Sequence, residues 1–179
     1  MQPDDQERVV DLGCGLKKTP GAVGLDREPL PGVDVVCDLS ERPWPLDDAS
    51  VDRLLAFHIV EHLPDLLVFM EEAHRALKTG GTLEIEVPHG ATLRYLGDPT
   101  HQMPITCSTF RYFEPGYHYN FYSNARFTVV RNDLVMPDRF FAPFWRWLWS
   151  RRMWTTERWL VRLGVDFSMR VLLRKVPLD

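Results

Sequence analysis

The chain has 179 residues, 45% hydrophobic and 26% charged, with a formal net charge of -4 at pH 7. These values exclude a disordered chain, fit one domain with a sizeable core, and give no basis for nucleic-acid binding. Cysteines at 14, 37 and 107 form no Cys-x-x-Cys pair or disulfide framework, and no apolar run reaches the roughly 20 residues of a membrane span. Residues 1–8 are polar, so no signal peptide is expected and the reduced cytoplasm is the natural setting.

Along the first half, short apolar runs alternate with turns. Strands are predicted over 9–12, 22–26, 33–39 and 52–57, in the apolar style of buried parallel strands. Asp65 then caps a helix. Leu66, Phe69, Met70, Ala73 and Leu77 recur at helical spacing, and Gly80-Gly81 is read as the stop. His74 falls mid-helix and is expected to be exposed. A fifth strand, 82–87, ends at Pro88 and alternates: Leu83, Ile85 and Val87 on one face, Thr82, Glu84 and Glu86 on the other.

The second half has a different character. Residues 89–124 are rich in His, Pro, Tyr and Phe and read as an irregular lid with short helical turns. Strands over 127–135 and 166–176 form an antiparallel edge, separated by an aromatic, basic helix over 139–163. The last strand places Ser168, Arg170 and Arg174 on one face. If it neighbours the fifth strand, Glu84 and Glu86 pair with Arg170 or Arg174 across a poorly covered sheet face. The expected architecture is one α/β domain with a mainly parallel sheet, divided into a cofactor-binding half (1–88), a lid and substrate region (89–124) and a C-terminal strand pair with its helix (125–179).

The chemistry-bearing residues sit at strand ends. Gly13 and Gly15 follow the first strand directly, where glycine allows a tight turn and close approach of backbone N–H groups to a ligand. Asp26 ends the second strand, where a carboxylate can accept both hydroxyl hydrogens of a ribose. Asp38 ends the third, where it can accept from an adenine amino group. All would converge on a crevice at the carboxyl edge of the sheet.

As a set, Asp11-Leu12-Gly13-Cys14-Gly15, Gly24-Leu25-Asp26, Cys37-Asp38-Leu39, the segment 57–64 (FHIVEHLP) and Leu77-Lys78-Thr79-Gly80-Gly81 resemble the successive motifs of class I S-adenosylmethionine-dependent methyltransferases, type 11-like. The likeness covers roughly 8–90. The segments 97–101 (GDPTH) and 109–113 (TFRYF) also resemble a pared-down bacterial and archaeal subgroup. The resemblance implies a Rossmann-like sheet and S-adenosylmethionine as cofactor. Gly13, Cys14 and Gly15 would lie under its methionine part, and Asp11 would orient the loop or the cofactor ammonium. Asp26 would hold the ribose, and Asp38 with the Leu39 backbone would hold adenine. His58 and Ile59 would flank the sulfonium, with Glu61 and His62 structural at the following turn. The chain departs from the family in having only 16–22 and 27–32 between its first three strands, too short for the usual helices, and in starting at the first strand without cap helices. Lys17 and Lys18 would then contact the cofactor carboxylate.

Methyl transfer from a sulfonium rests on in-line approach of the acceptor, and some acceptors need a base. His89 and His101 are the candidate catalytic bases, with Asp98 and Tyr112 as helpers. His89, Asp98, His101 and His118 match no metal-ligand spacing, so no metal is expected. The 139–163 segment holds five of the six tryptophans and six arginines. That composition suits packing on the sheet and lid, peripheral membrane contact or a homodimer surface. The expected function is methyl transfer to a small-molecule acceptor. The alternative is a catalytically silent S-adenosylmethionine-binding or interaction protein. A dinucleotide-binding dehydrogenase is disfavoured because Lys18 replaces the third glycine of its fingerprint. Nucleic-acid methylation is disfavoured by the lack of an Asn-Pro-Pro or Asp-Pro-Pro aromatic segment.

Overall fold

The computed structural model describes residues 7–136 and 153–177. Seven strands form one sheet in the order β3-β2-β1-β4-β5-β7-β6. They are β1 (Val9–Leu12), β2 (Val23–Asp26), β3 (Val35–Val36), β4 (Val51–Phe57), β5 (Leu77–Pro88), β6 (Phe127–Val135) and β7 (Ser168–Lys175). The first five strands pair in parallel. β7 inserts antiparallel between β5 and β6. The Rossmann-like, mainly parallel sheet with an antiparallel C-terminal edge and few helices is therefore present.

Helix α1 (Leu66–Ala76) begins where Asp65 accepts hydrogen bonds from the Leu67 and Val68 amides, at 2.8 and 3.2 Å. Such a cap contributes about 1 kcal/mol. The helix stops at Ala76, earlier than expected, because Leu77 already has extended geometry and pairs with Val51. The glycines lie in an excursion of β5: Val51 pairs with Leu77, but Arg53 pairs with Thr82. Gly80 takes a φ of +79° there, and Lys78 Nζ reaches Asp52 at 2.8 Å. Thus Gly80-Gly81 marks a turn, but within the strand. His74, expected to be exposed, is buried with Nε2 at 3.0 Å from the Val176 carbonyl and its ring edge-on to Phe127.

The pleat sorts the residues into two faces. Leu54, Ala56, Leu83, Ile85, Val87, Met169, Val171 and Leu173 point into one core. They pack with Phe69 and Met70 of α1 and with Phe110 and Phe113 of a 3-10 turn in the lid (Thr109–Phe113). The alternate residues of β4, β5 and β7 carry charge. Glu86 lies directly across from Arg170 and accepts from its Nε at 2.8 Å. Glu84 faces Leu172 in register and takes Arg53 of β4 at 2.6 Å, with Arg131 at 3.8 Å. Arg174 is level with Thr82 instead. The acidic alternation of β5 thus belongs to an ion-paired sheet face.

No helix occupies 13–22 or 27–34. The third connection replaces one with Trp44, whose indole packs against Phe69 at 5.4 Å and donates to the Leu39 carbonyl at 3.2 Å. The short α2 (Leu93–Leu96) opens the lid. Helix α3 (Met153–Arg162) covers the end of the 139–163 segment. Trp159 is exposed there, with the Arg162 guanidinium 6.0 Å from its ring. Trp145, Trp147 and Trp149 lie outside the described residues. Among those described, no helix is long and apolar enough to cross a membrane.

Removing the Arg170 side chain deprives Glu86 of its cross-strand partner. Arg170→Ala is expected to lower stability by about 0.5–1 kcal/mol in urea unfolding, the upper range for a half-exposed pair. An unchanged midpoint would show that the ion-paired face adds nothing to the sheet.

Candidate active site

At the carboxyl ends of β1, β2 and β3 lies a cavity of about 610 Å³. Its walls include Gly13, Asp26, Asp38, Leu39 and Ile59, with Thr100 from the lid. That volume is within the range of small-molecule sites, and strand carboxyl ends are where open α/β sheets bind ligands. A second cavity, of about 510 Å³, lies on the charged sheet face between Val9, Pro20, Arg53, Leu55 and Glu84. It takes in none of the strand-end glycines or aspartates of the first cavity.

The glycine loop is held by backbone and carboxylate together. Gly13 and Gly15 have φ of +66° and +51°, and the Gly13 amide donates to the Leu25 carbonyl at 2.8 Å. A Cβ on Gly13 would meet Ile59 Cγ1 at 2.5 Å, so only glycine lets the β1 and β4 ends approach this closely. Asp26 Oδ2 accepts from the Gly15 amide at 2.8 Å, and its Oδ1 from the Glu28 amide at 3.0 Å. Each oxygen retains a further acceptor site. Asp11 is buried and accepts from the Thr19 amide at 2.7 Å, which anchors the β1–β2 connection. Asp38 accepts from Ser40 Oγ at 2.6 Å and the Ser40 amide at 2.9 Å, which lowers its pKa. The Cys14 thiol is buried, and burial raises its pKa.

Several expected placements are revised. Lys18 does not turn to the cavity: its Nζ binds Asp34 at 2.8 Å and its stem packs over Gly24, while Lys17 is exposed. Ile59 forms the cavity wall, but His58 does not. With a φ of +56°, His58 points its ring between Glu61 and Glu86, at 3.5 and 3.6 Å. Those carboxylates raise its pKa to about 9, so it is a cation at neutral pH rather than a neighbour suited to a sulfonium. His89 is also absent from the cavity. It is 2% exposed, lies 4.7 Å from the tilted Phe167 ring, donates from Nε2 to Glu157 at 2.7 Å and accepts the Ala91 amide at Nδ1. With both nitrogens engaged in the core, it has no route to a substrate.

His101 does stand beside the cavity. Its ring stacks on Tyr95 and lies 4.7 Å from that of His62, a cavity-wall residue. Asp98 shapes the same turn by accepting from the Thr100 amide and hydroxyl, at 2.9 and 2.6 Å. Tyr112 packs among aromatics, edge-on to Phe113, and does not line the cavity. Residues not foreseen are Asp34, Gln102 and Glu157. Asp34 had a readable signal, a carboxylate in a helix-less crossover, but Glu157 is brought to His89 only by tertiary packing.

The His58 cluster predicts a pH dependence. Its folded pKa is raised from 6.5 to about 9, so its stabilising effect is full below pH 6.5 and is lost as pH rises through about 9. Wild type should therefore lose stability relative to His58→Gln between those values in chemical unfolding. Parallel curves for the two proteins would show that no such coupling exists.

Comparison with known proteins agrees with this geometry. The profile of a family described as "Methyltransferase domain" matches residues 14–85. Trans-aconitate 2-methyltransferase of Azoarcus sp. is 33% identical over 120 residues, covering 56% of this chain and 44% of that protein. A Mycolicibacterium smegmatis protein named as a probable S-adenosylmethionine-dependent methyltransferase is 37% identical over 79 residues, covering 44% of this chain and 30% of that one. The chain therefore spans less than half the length of these relatives. In fold, it is similar to an S-adenosylmethionine-dependent methyltransferase from Archaeoglobus fulgidus, with a TM-score of 0.65, 17% identity, and 96% and 87% of the two chains covered. In its ordered motifs, its strand order and these relatives, the chain is similar to the class I methyltransferases, which use S-adenosylmethionine.

Proposed function

We propose that the chain binds S-adenosylmethionine in the 610 Å³ cavity and transfers its methyl group to a small-molecule acceptor. The observation that carries this reading is the convergence of Gly13, Asp26, Asp38 and Ile59, from four strand ends, on one cavity closed by lid residues Pro99, Thr100 and Gln102.

Each group has a role that its geometry suits. The bare Gly13 and Gly15 backbone lies under the methionine part, beside Cys14, a thiol kept neutral by burial. Asp11 acts at one remove, holding the connection through the Thr19 amide. The remaining acceptor sites of Asp26 take the ribose hydroxyls, and Asp38 with Leu39 takes adenine. Ile59 provides an apolar wall near the sulfonium in place of the cationic His58. The cofactor supplies an activated methyl group, and the chain's contribution is orientation and exclusion of water. On the acceptor side, His101 is the histidine that remains of the two expected bases. Its Nδ1 donates to the Tyr95 carbonyl at 2.8 Å, which leaves Nε2 for a proton or another Lewis acid. A small acceptor is supported by the organic acid in the Azoarcus relative's name and by the net charge of -4.

Calorimetry with S-adenosylhomocysteine tests the cofactor part. Wild type should bind, and Asp26→Ala should bind at least about 10-fold more weakly, the effect of losing hydrogen bonds to a charged group. Asp38→Ala serves as a second variant should the first disturb the loop. No binding by folded wild type would overturn the reading.

A further inference from the structure

Two clusters among the described residues bring three metal-competent side chains together: Glu61, His62 and His101, and, in the core, His89, Cys107 and Glu157. The second is complete without an ion. Glu157 Oε1 already accepts from His89 at 2.7 Å and from the Cys107 amide at 3.3 Å. The first is not. Glu61 is 1% exposed, and its Oε2 has no hydrogen-bond partner, while His58 stands 3.5 Å from Oε1. A buried carboxylate oxygen without a partner is costly unless a donor or cation meets it.

The two histidines beside it are prepared as ligands. The Thr100 hydroxyl gives its hydrogen to Asp98 Oδ1 at 2.6 Å, so at 3.0 Å it accepts from His62 Nδ1. His101 Nδ1 must donate to the Tyr95 carbonyl, which can only accept. In both rings Nδ1 is thereby the donor, which leaves Nε2 as the nitrogen open to a ligand. The nearest carboxylate oxygen to His101 Nε2, Asp98 Oδ2, is 3.7 Å away, beyond hydrogen-bond reach. A partner fixing the far nitrogen is how metal-bound histidines are oriented. The two segments are also clamped together: the Gln102 and Met103 amides donate to the Glu61 carbonyl at 2.8 and 3.1 Å, and the Gln102 side chain to the His62 carbonyl at 2.9 Å.

We propose that Glu61, His62 and His101 bind a divalent transition-metal ion, of the zinc class, at the lid edge of the cofactor cavity. Their ligand atoms lie within 4.8 Å of one another. Small side-chain rotations bring them to the roughly 3.3 Å edges of a tetrahedron with ligand bonds of about 2.0 Å. Two imidazoles and a carboxylate suit zinc-like ions better than magnesium or calcium. Three protein ligands leave a fourth position open, as in sites that act on substrate. His62 lines the cavity, so that position is beside the space for the acceptor. In a form that rests on the proposed function, the acceptor is then one that offers an oxygen ligand, such as a hydroxyl, carboxylate or phosphate, and His101 Nε2 holds the ion rather than a proton.

The test uses zinc alone, titrated calorimetrically into the metal-free 179-residue chain, with S-adenosylhomocysteine titrated separately into the same preparation. One zinc equivalent should bind to wild type. His101→Gln and Glu61→Gln should each weaken it by at least about 10-fold, the size of effect seen when even an outer partner is lost. Cobalt bound to wild type should give a nitrogen- and oxygen-ligand spectrum without a thiolate charge-transfer band, which also covers the case of a variant that fails to fold. Absence of zinc binding, undiminished binding in the folded variants, or a thiolate band from Cys14 or Cys37 would overturn the proposal. Binding of S-adenosylhomocysteine without zinc would leave the cofactor reading standing, and the reverse result would remove only that reading.

Discussion

The connections between β1, β2 and β3 are too short for helices, and the backbone amides at those strand ends still need acceptors. Aspartates meet that need. Asp11 accepts from Thr19, Asp26 from Gly15 and Glu28, Asp34 from Gly24, and Asp38 from Ser40. Lys18 completes the set by neutralising Asp34 across the crossover. This side of the sheet is thus ordered by carboxylate-to-amide bonds where a longer chain would use helix termini and apolar packing. The same bonds shape the cavity, because two of the four aspartates face it.

The division of labour between the sheet faces follows from this economy of helices. α1 and the lid turn their aromatics onto one face and build a single apolar core around Phe69, Phe110 and Phe113. The other face of β4, β5 and β7 is charged, and stays so because Glu84 and Glu86 have arginines within reach from β4, β6 and β7. The cavity opens at the strand ends, with lid residues Pro99, Thr100 and Gln102 beside it. Lid and sheet are joined there through Glu61, whose backbone carbonyl carries the lid amides while its side chain is turned to the histidines.

Much of this was legible in the residues because it rests on local patterns. Period-two alternation exposed the charged face of β5, and the partner Arg170 followed once β7 was its neighbour. The order of glycine and aspartate at strand ends marks the cavity in the sequence itself. What was misread depends on direction in space. His58 and Ile59 are adjacent in sequence, yet the positive φ of His58 sends its ring to carboxylates and leaves Ile59 facing the cavity. His89 was placed correctly at the end of β5, but its partner Glu157 comes from a helix 68 residues away. Gly80-Gly81 signalled a turn, and only the β4–β5 register shows that it interrupts a strand rather than ending a helix.

The proposed cofactor site is the cavity between the strand-end aspartates and the glycine loop, not the similarly sized cavity on the charged face. A crystal structure with S-adenosylhomocysteine tests it most directly. The methionine part should lie over Gly13, the ribose hydroxyls on Asp26 and adenine beside Asp38 and Leu39. Density for the ligand between Arg53, Leu55 and Glu84, with the strand-end cavity filled only by solvent, would contradict it.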